Sequence, residues 1–186
     1  MSSKLRLWLF AAVALVQLAA PASMILSQER TLAKGEAFKF RTAPVDPYDA
    51  FRGRYVALRF DNSEAALAEG VKASPGQTVY ATVETGGDGF AKFGVALLAP
   101  PKDKPYLKVK AGYSSGADAI GLQLPFDRFY MEETKAPAAE AAYRAHSRRG
   151  AQDAYVVVRV LDGYGVIKDL YVGGKPIEDF LSEAKP

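Results

Sequence analysis

Asp46-Pro47-Tyr48-Asp49-Ala50-Phe51-Arg52-Gly53-Arg54-Tyr55-Val56-Ala57-Leu58-Arg59-Phe60 reads as a turn that feeds a β-strand. Asp46-Pro47 starts the turn, because proline presets φ and aspartate bonds its own backbone, and Gly53 admits a positive φ. From Tyr55 the chain alternates. Tyr55, Ala57 and Arg59 share one face, and Val56, Leu58 and Phe60 share the other. A period of two sends the second, apolar set toward a core.

The same signal recurs on both sides of this stretch. Short β-rich runs separated by turn residues cover Phe38–Thr42, Val79–Glu84, Ala91–Leu98, Tyr106–Ala111, Ile120–Leu124, Ala154–Leu161 and Gly165–Val172. Asp162-Gly163 between the last two is a hairpin signal, with a loop of two residues or somewhat more. Two stretches predict short helices. Asn62–Gly70 carries an Ala- and Glu-rich run stopped by Gly70. Pro137–Arg149 has proline at its first position, Glu140 early and Arg148-Arg149 late, which suits the helix dipole. No internal repeat or low-complexity tract interrupts the series. The expected fold is mainly β, barrel- or sandwich-like in an α+β setting, with an N-terminal membrane helix and two short helices.

That membrane helix is read from Leu7–Leu26, 20 residues interrupted only by Gln17, Pro21 and Ser23, with Lys4 and Arg6 before it and no Asp or Glu in residues 1–26. Twenty helical residues rise about 30 Å, the thickness of a bilayer core. A cleavable signal peptide with a cut near 22/23 is the alternative, because Ala20-Pro21-Ala22 offers small residues. Met24-Ile25-Leu26 extend the apolar run past that point and favour an uncleaved anchor. The expected division is an anchor over 1–26 and one extracytoplasmic β-rich domain over 27–186. Lys4 and Arg6 hold the N-terminus inside. Ser27–Gly35 reads as a charged continuation of the helix, ended by Gly35.

The chain has 186 residues, 49% of them hydrophobic, enough for one packed domain. Its net charge of +3 lies largely in the leader: without Lys4 and Arg6, 22 basic residues face 21 acidic ones. That balance gives no basic face for nucleic acid. The absence of cysteine excludes disulfides, Cys-ligated zinc, iron–sulfur clusters and thiol catalysis.

The stretch that opens this reading resembles the signature of a bacterial family, the GDYXXLXY proteins. Gly53, Tyr55 and Leu58 match it directly and Phe60 replaces its final Tyr. The likeness extends to the Pro44–Phe51 approach, to Gly76-Gln77-Thr78-Val79-Tyr80, to Phe129-Tyr130 followed by Glu133, and to Val166–Ile177. One departure reverses a charge: Arg54 stands where the signature has Asp. Were that carboxylate catalytic or metal-binding, the function would be lost here, so the motif reads as chiefly structural, a turn and strand start with a surface used for contact; the alternative is that this member has diverged in function. The resemblance implies a membrane-anchored extracytoplasmic protein with no established reaction, and a polytopic membrane protein as its neighbour. The interaction residues it points to are Asp46, Pro47, Phe51, Arg52, Gly53, Arg54, Tyr55, Leu58, Phe60 and Glu133.

No catalytic, cofactor or metal set emerges. The single histidine, His146, falls at a predicted helix end, where it complements the dipole. No Gly-x-Ser-x-Gly elbow accompanies it. A Ser–Lys peptidase would need a serine upstream of Gly53, where the body offers only Ser27; Ser114-Ser115 lies in a glycine-flanked loop. Asp46, Asp49 and Asp61 match no calcium loop. Gly86-Gly87-Asp88-Gly89 is a hairpin turn, since no Gly-Lys-Ser/Thr helix follows it. Glu132 and Glu133 set charge ahead of a helix. The leading expectation is an accessory or interaction domain. A ligand-binding β-barrel lined by aromatics (ten Phe and ten Tyr) is the alternative, and an envelope hydrolase a distant third.

Overall fold

The computed structural model describes residues 3–43, 55–114, 118–147 and 152–183. It opens with one uninterrupted helix, α1 (Ser3–Lys34), which is solvent-facing along its apolar length and buries only Thr31 near its end. This is a helix long and apolar enough to cross a membrane. Its last turn packs on the body, and Gly35 ends it by donating its N–H to the Thr31 carbonyl (2.8 Å).

Behind the helix comes a five-stranded antiparallel sheet. In spatial order it contains β12 (Lys175–Pro176), β11 (Tyr164–Val172), β10 (Tyr155–Leu161), β1 (Glu36–Ala43) and β3 (Arg59–Phe60). Alternation makes it one-sided: Val156, Val158 and Val160 of β10 are buried while Tyr155, Val157, Arg159 and Leu161 are half-buried. Phe38 and Phe40 of β1, with Leu170 and Val172 of β11, join the same inner face.

Five other strands close a barrel in the order β4 (Glu64–Leu67), β6 (Ala91–Leu97), β5 (Thr78–Thr85), β7 (Tyr106–Ser114) and β8 (Ala119–Gln123). The β4–β6 pair is parallel and the other pairs are antiparallel. A separate two-stranded ribbon joins β2 (Tyr55–Ala57) to β9 (Arg128–Tyr130), and helices α2 (Ala136–His146) and α3 (Ile177–Glu183) pack on each other.

Barrel and sheet share one hydrophobic cluster. Its hinge is a set of phenylalanines: Phe40 of the sheet meets Phe93 of the barrel at 5.6 Å between centroids, and Phe60 and Phe126 stand edge-on to each other at 5.5 Å. Such offset and edge-to-face pairs add to the burial of large rings.

The eight expected strand regions all carry strands, with ends within a few residues. The architecture is a barrel with an adjoining sheet. The helix expected over Asn62–Gly70 is overturned: Glu64–Leu67 is β4, with Ala65 buried and Glu64 and Ala66 exposed. Helix propensity loses here because the barrel needs a strand to bridge β6 and β8, and only extended backbone satisfies both neighbours. The second short helix of the described body is α3, at the other end of the chain.

The Asp162-Gly163 turn is a two-residue hairpin. Leu161 pairs with Tyr164, and φ is 50° at Asp162 and 85° at Gly163, as a type I′ turn requires.

Candidate functional site

The alternating run from Tyr55 is split between two sheets. Tyr55, Val56 and Ala57 pair with Tyr130, Phe129 and Arg128, whereas Arg59 and Phe60 pair with Ala43 and Thr42 at the end of β1. The change of partner falls at Leu58, whose N–H donates to the Asp127 carbonyl (2.8 Å). Val56 is fully buried, Leu58 is 7% exposed and Phe60 is 9% exposed, so the apolar face points inward as the period of two predicts. Two sequence blocks far apart in the chain, Tyr55–Phe60 and Phe129-Tyr130, are thus neighbours.

Their outward side chains form a small cluster. The Tyr55 and Tyr130 rings meet at 5.6 Å and 61°, and the Arg128 guanidinium lies 5.1 Å from the Tyr55 ring centroid. Arg128 also pairs with Asp127 at 3.5 Å. A hydrogen bond with the Tyr130 side chain, aided by Asp127, raises the guanidinium pKa further above its usual range. Tyr130 stays 67% exposed, and Arg128 and Glu133 are exposed as well. The arrangement offers cation–π, stacking and hydrogen-bonding groups on one rim, which are the groups that dominate protein contact surfaces.

Asp46, Pro47, Phe51, Arg52, Gly53 and Arg54 lie outside the described residues, so their expected roles rest on sequence. The described residues on either side of that segment are tied to α2. At one side, Tyr143 of α2 is buried and donates its hydroxyl to the Ala43 carbonyl (3.0 Å); burial pushes this phenol above its ordinary range. At the other, β2 packs against α2.

Beside β3 opens a cleft of about 630 Å³, lined by Leu58, Arg59, Asp61, Glu64, Leu122 and Asp127 among others. The barrel interior itself is occupied: Val79, Ala81, Val83, Leu107, Ala111 and Ile120 are at most 1% exposed. Four of the aromatics, Phe40, Phe60, Phe93 and Phe126, pack on one another at the junction with the sheet.

The remaining candidates are placed as follows. His146, in the last turn of α2, bonds Asp153 through Nδ1 (2.8 Å) and stands edge-on to Phe180 of α3 at 5.2 Å. It is a clip between α2, the following loop and α3. Ser114 ends β7, and Ser115 lies outside the described residues. Gly86–Gly89 forms the β5–β6 hairpin turn, where Gly86 donates to Phe90 (2.8 Å). Asp88 caps the Phe90 N–H in that turn, which lowers its carboxyl pKa, and pairs with Arg41 of β1 at 3.6 Å. Sequence reasoning did not single out Arg128, although the run Arg128-Phe129-Tyr130 carries a strand-forming aromatic pair. It also missed α3, despite Glu178 and Asp179 in its first turn.

The fold and this rim define a class: a β-barrel and sheet sharing one core, carried on a single apolar N-terminal helix, with an aromatic–arginine rim where the alternating strand changes sheets. The chain belongs to the GDYXXLXY family, described as "GDYXXLXY protein", whose model matches residues 17–170. No curated protein and no solved structure matches it.

Proposed function

We propose that the protein is an accessory, non-enzymatic partner of a polytopic protein in the bacterial inner membrane. In this reading residues 1–26 are the anchor, the N-terminus is cytoplasmic and residues 27–186 form one extracytoplasmic domain. Lys4 and Arg6 before the apolar run support the orientation. The core shared by barrel, sheet and helices supports a single domain.

The observation that carries the reading is the two-faced signature strand. Its inner residues close the core, and its outer residues, with β9, present Tyr55, Arg128 and Tyr130 at the surface. The occupied barrel interior supports a contact surface over a lumen for a small ligand. A second feature supports a partner within the membrane. Pro21 has no N–H, so the Gln17 carbonyl four residues earlier lacks its helical donor. The Gln17 amide side chain sits at the same level, near the middle of Leu7–Leu26. In lipid both need hydrogen bonds, and another helix supplies them.

The test is photocrosslinking in native membranes from a benzoyl-phenylalanine at position 130, followed by mass spectrometry of the adduct. One stoichiometric membrane-protein adduct is expected, and Arg128→Ala should weaken its recovery. A chain that crosslinks to no protein would overturn the accessory role. The mass of the membrane-isolated chain checks the anchor, since a mature form beginning near Ser23 would establish cleavage instead.

A further inference from the structure

The β10–β11 hairpin tip stands beside the emerging helix at a height set by the chain itself. Arg30 of α1 pairs with Asp162 of the tip at 3.5 Å. Arg30 lies four residues beyond Leu26, the last residue of the apolar run, so it is about 6 Å further along the helix axis. The headgroup layer on one side of a bilayer is about 5–7 Å deep, the difference between the full and the hydrocarbon thickness. A helix that spans the bilayer with Leu26 at the hydrocarbon edge therefore brings the tip to the headgroups.

The tip is braced from two sides. Arg30 holds it to the helix, and the Lys108 N–H of β7 donates to the Gly163 carbonyl (2.9 Å). Gly163 lies so close to the barrel that an added Cβ would sit 2.8 Å from the Tyr106 ring and 3.2 Å from Lys108 Cβ. Next along the chain, Tyr164 leaves 59% of its surface exposed. A tyrosine has an apolar ring and a polar tip, the character enriched where hydrocarbon meets headgroups. The charges of this junction are mixed: Arg30 pairs with Asp162, Lys108 lies against Gly163, and Glu29, Lys34 and Glu36 flank Arg30 and the helix end along the chain. The surface therefore suits insertion of the ring among zwitterionic headgroups and needs no anionic lipid.

We infer that the β10–β11 hairpin tip rests in the lipid headgroup layer, with Tyr164 as its interfacial anchor. This second membrane contact, together with the tilt of α1, sets the angle of the domain to the bilayer; it rests on the reading of α1 as a membrane span.

The test uses the full chain in phosphatidylcholine nanodiscs. The native Trp8, in α1, reports the helix through quenching by chain-brominated lipid. Tyr164→Trp in a Trp8→Phe background reports the tip through a nitroxide on the lipid headgroup. Tyr113→Trp in the same background is the control. Tyr113 is 84% exposed on β7, seven residues from Tyr106, or about 23 Å at the rise of a strand. Quenched Trp8, a blue-shifted and quenched Trp at 164 and an unquenched Trp at 113 are expected. Quenched Trp8 with position 164 behaving like 113 overturns the proposal while leaving the anchor intact. Unquenched Trp8 removes the anchor reading and the proposal with it. Should tryptophan disturb the turn, Tyr164→Cys carrying a small fluorophore gives the same measurement, because the chain has no other cysteine.

Discussion

Two single residues have effects that can be read from their surroundings. Gly35 is buried where α1 meets β10, and an added Cβ would stand 2.5 Å from the Thr31 carbonyl oxygen and 3.1 Å from the Val160 backbone. Both neighbours are main chain and cannot turn aside. Gly35→Ala is expected to cost about 2–3 kcal/mol through forced backbone movement, seen as a lower urea midpoint for the full chain in detergent micelles. Ser147 at the end of α2 has the opposite sign. It is fully buried and its hydroxyl finds no hydrogen-bond partner among the described residues. Removing an unpaired buried hydroxyl relieves its desolvation, so Ser147→Ala should raise stability by about 1 kcal/mol. A midpoint that fell would mean the hydroxyl is satisfied.

At the scale of elements, the β10–β11 turn and the α2–β1 tie are the informative joints. Gly163→Ala places a side chain at positive φ and against the Tyr106 ring, and should cost about 2 kcal/mol. Tyr143→Phe removes the bond from α2 to the Ala43 carbonyl, a loss of about 1 kcal/mol near neutrality. Tyr143 also carries a pH signature. Burial raises its phenol above the ordinary value of 10.0, so the folded state holds the proton more tightly than the unfolded one. Stability linked to it is complete below that value and lost as pH climbs through the raised folded pKa. Wild type should therefore lose more stability than Tyr143→Phe on passing from pH 9 to pH 11, measured as paired urea midpoints.

These elements also show why the strands could be read in the sequence and β4 could not. Val156, Val158 and Val160 alternate against residues that face out, so the local pattern and the tertiary environment agree. Residues 64–67 are Glu-Ala-Ala-Leu, a run that fits either structure, and only pairing with β6 and β8, distant in sequence, selects the strand. The partner change at Leu58 was hidden for the same reason, since alternation says which face is buried but not which strand lies alongside. Arg128 escaped notice because its place beside Tyr55 is made by pairing across 73 residues.

For the molecule as a whole, Phe126 is the position where the parts meet. It is 6% exposed, its ring stands 5.8 Å from Phe40 and 5.5 Å from Phe60, and Gly165 of β11 lies against it. Phe126→Ala should cost about 3–5 kcal/mol as a core cavity. Because the cluster spans both sheets, barrel and sheet signals should shift together in one denaturant transition. Two separate transitions would show that the shared core does not couple them. The joint at Gly35 has a mechanical consequence. α1 runs into β1 across one residue, and β1 carries the chain about 23 Å to Ala43, beside Arg59 and Phe60. A bilayer thinner or thicker than the apolar run changes the tilt of a spanning helix. With no slack to absorb it, a tilt of about 10° would swing the far end of β1 through about 4 Å. The domain would then be a pointer whose angle gauges the thickness of the membrane that holds it.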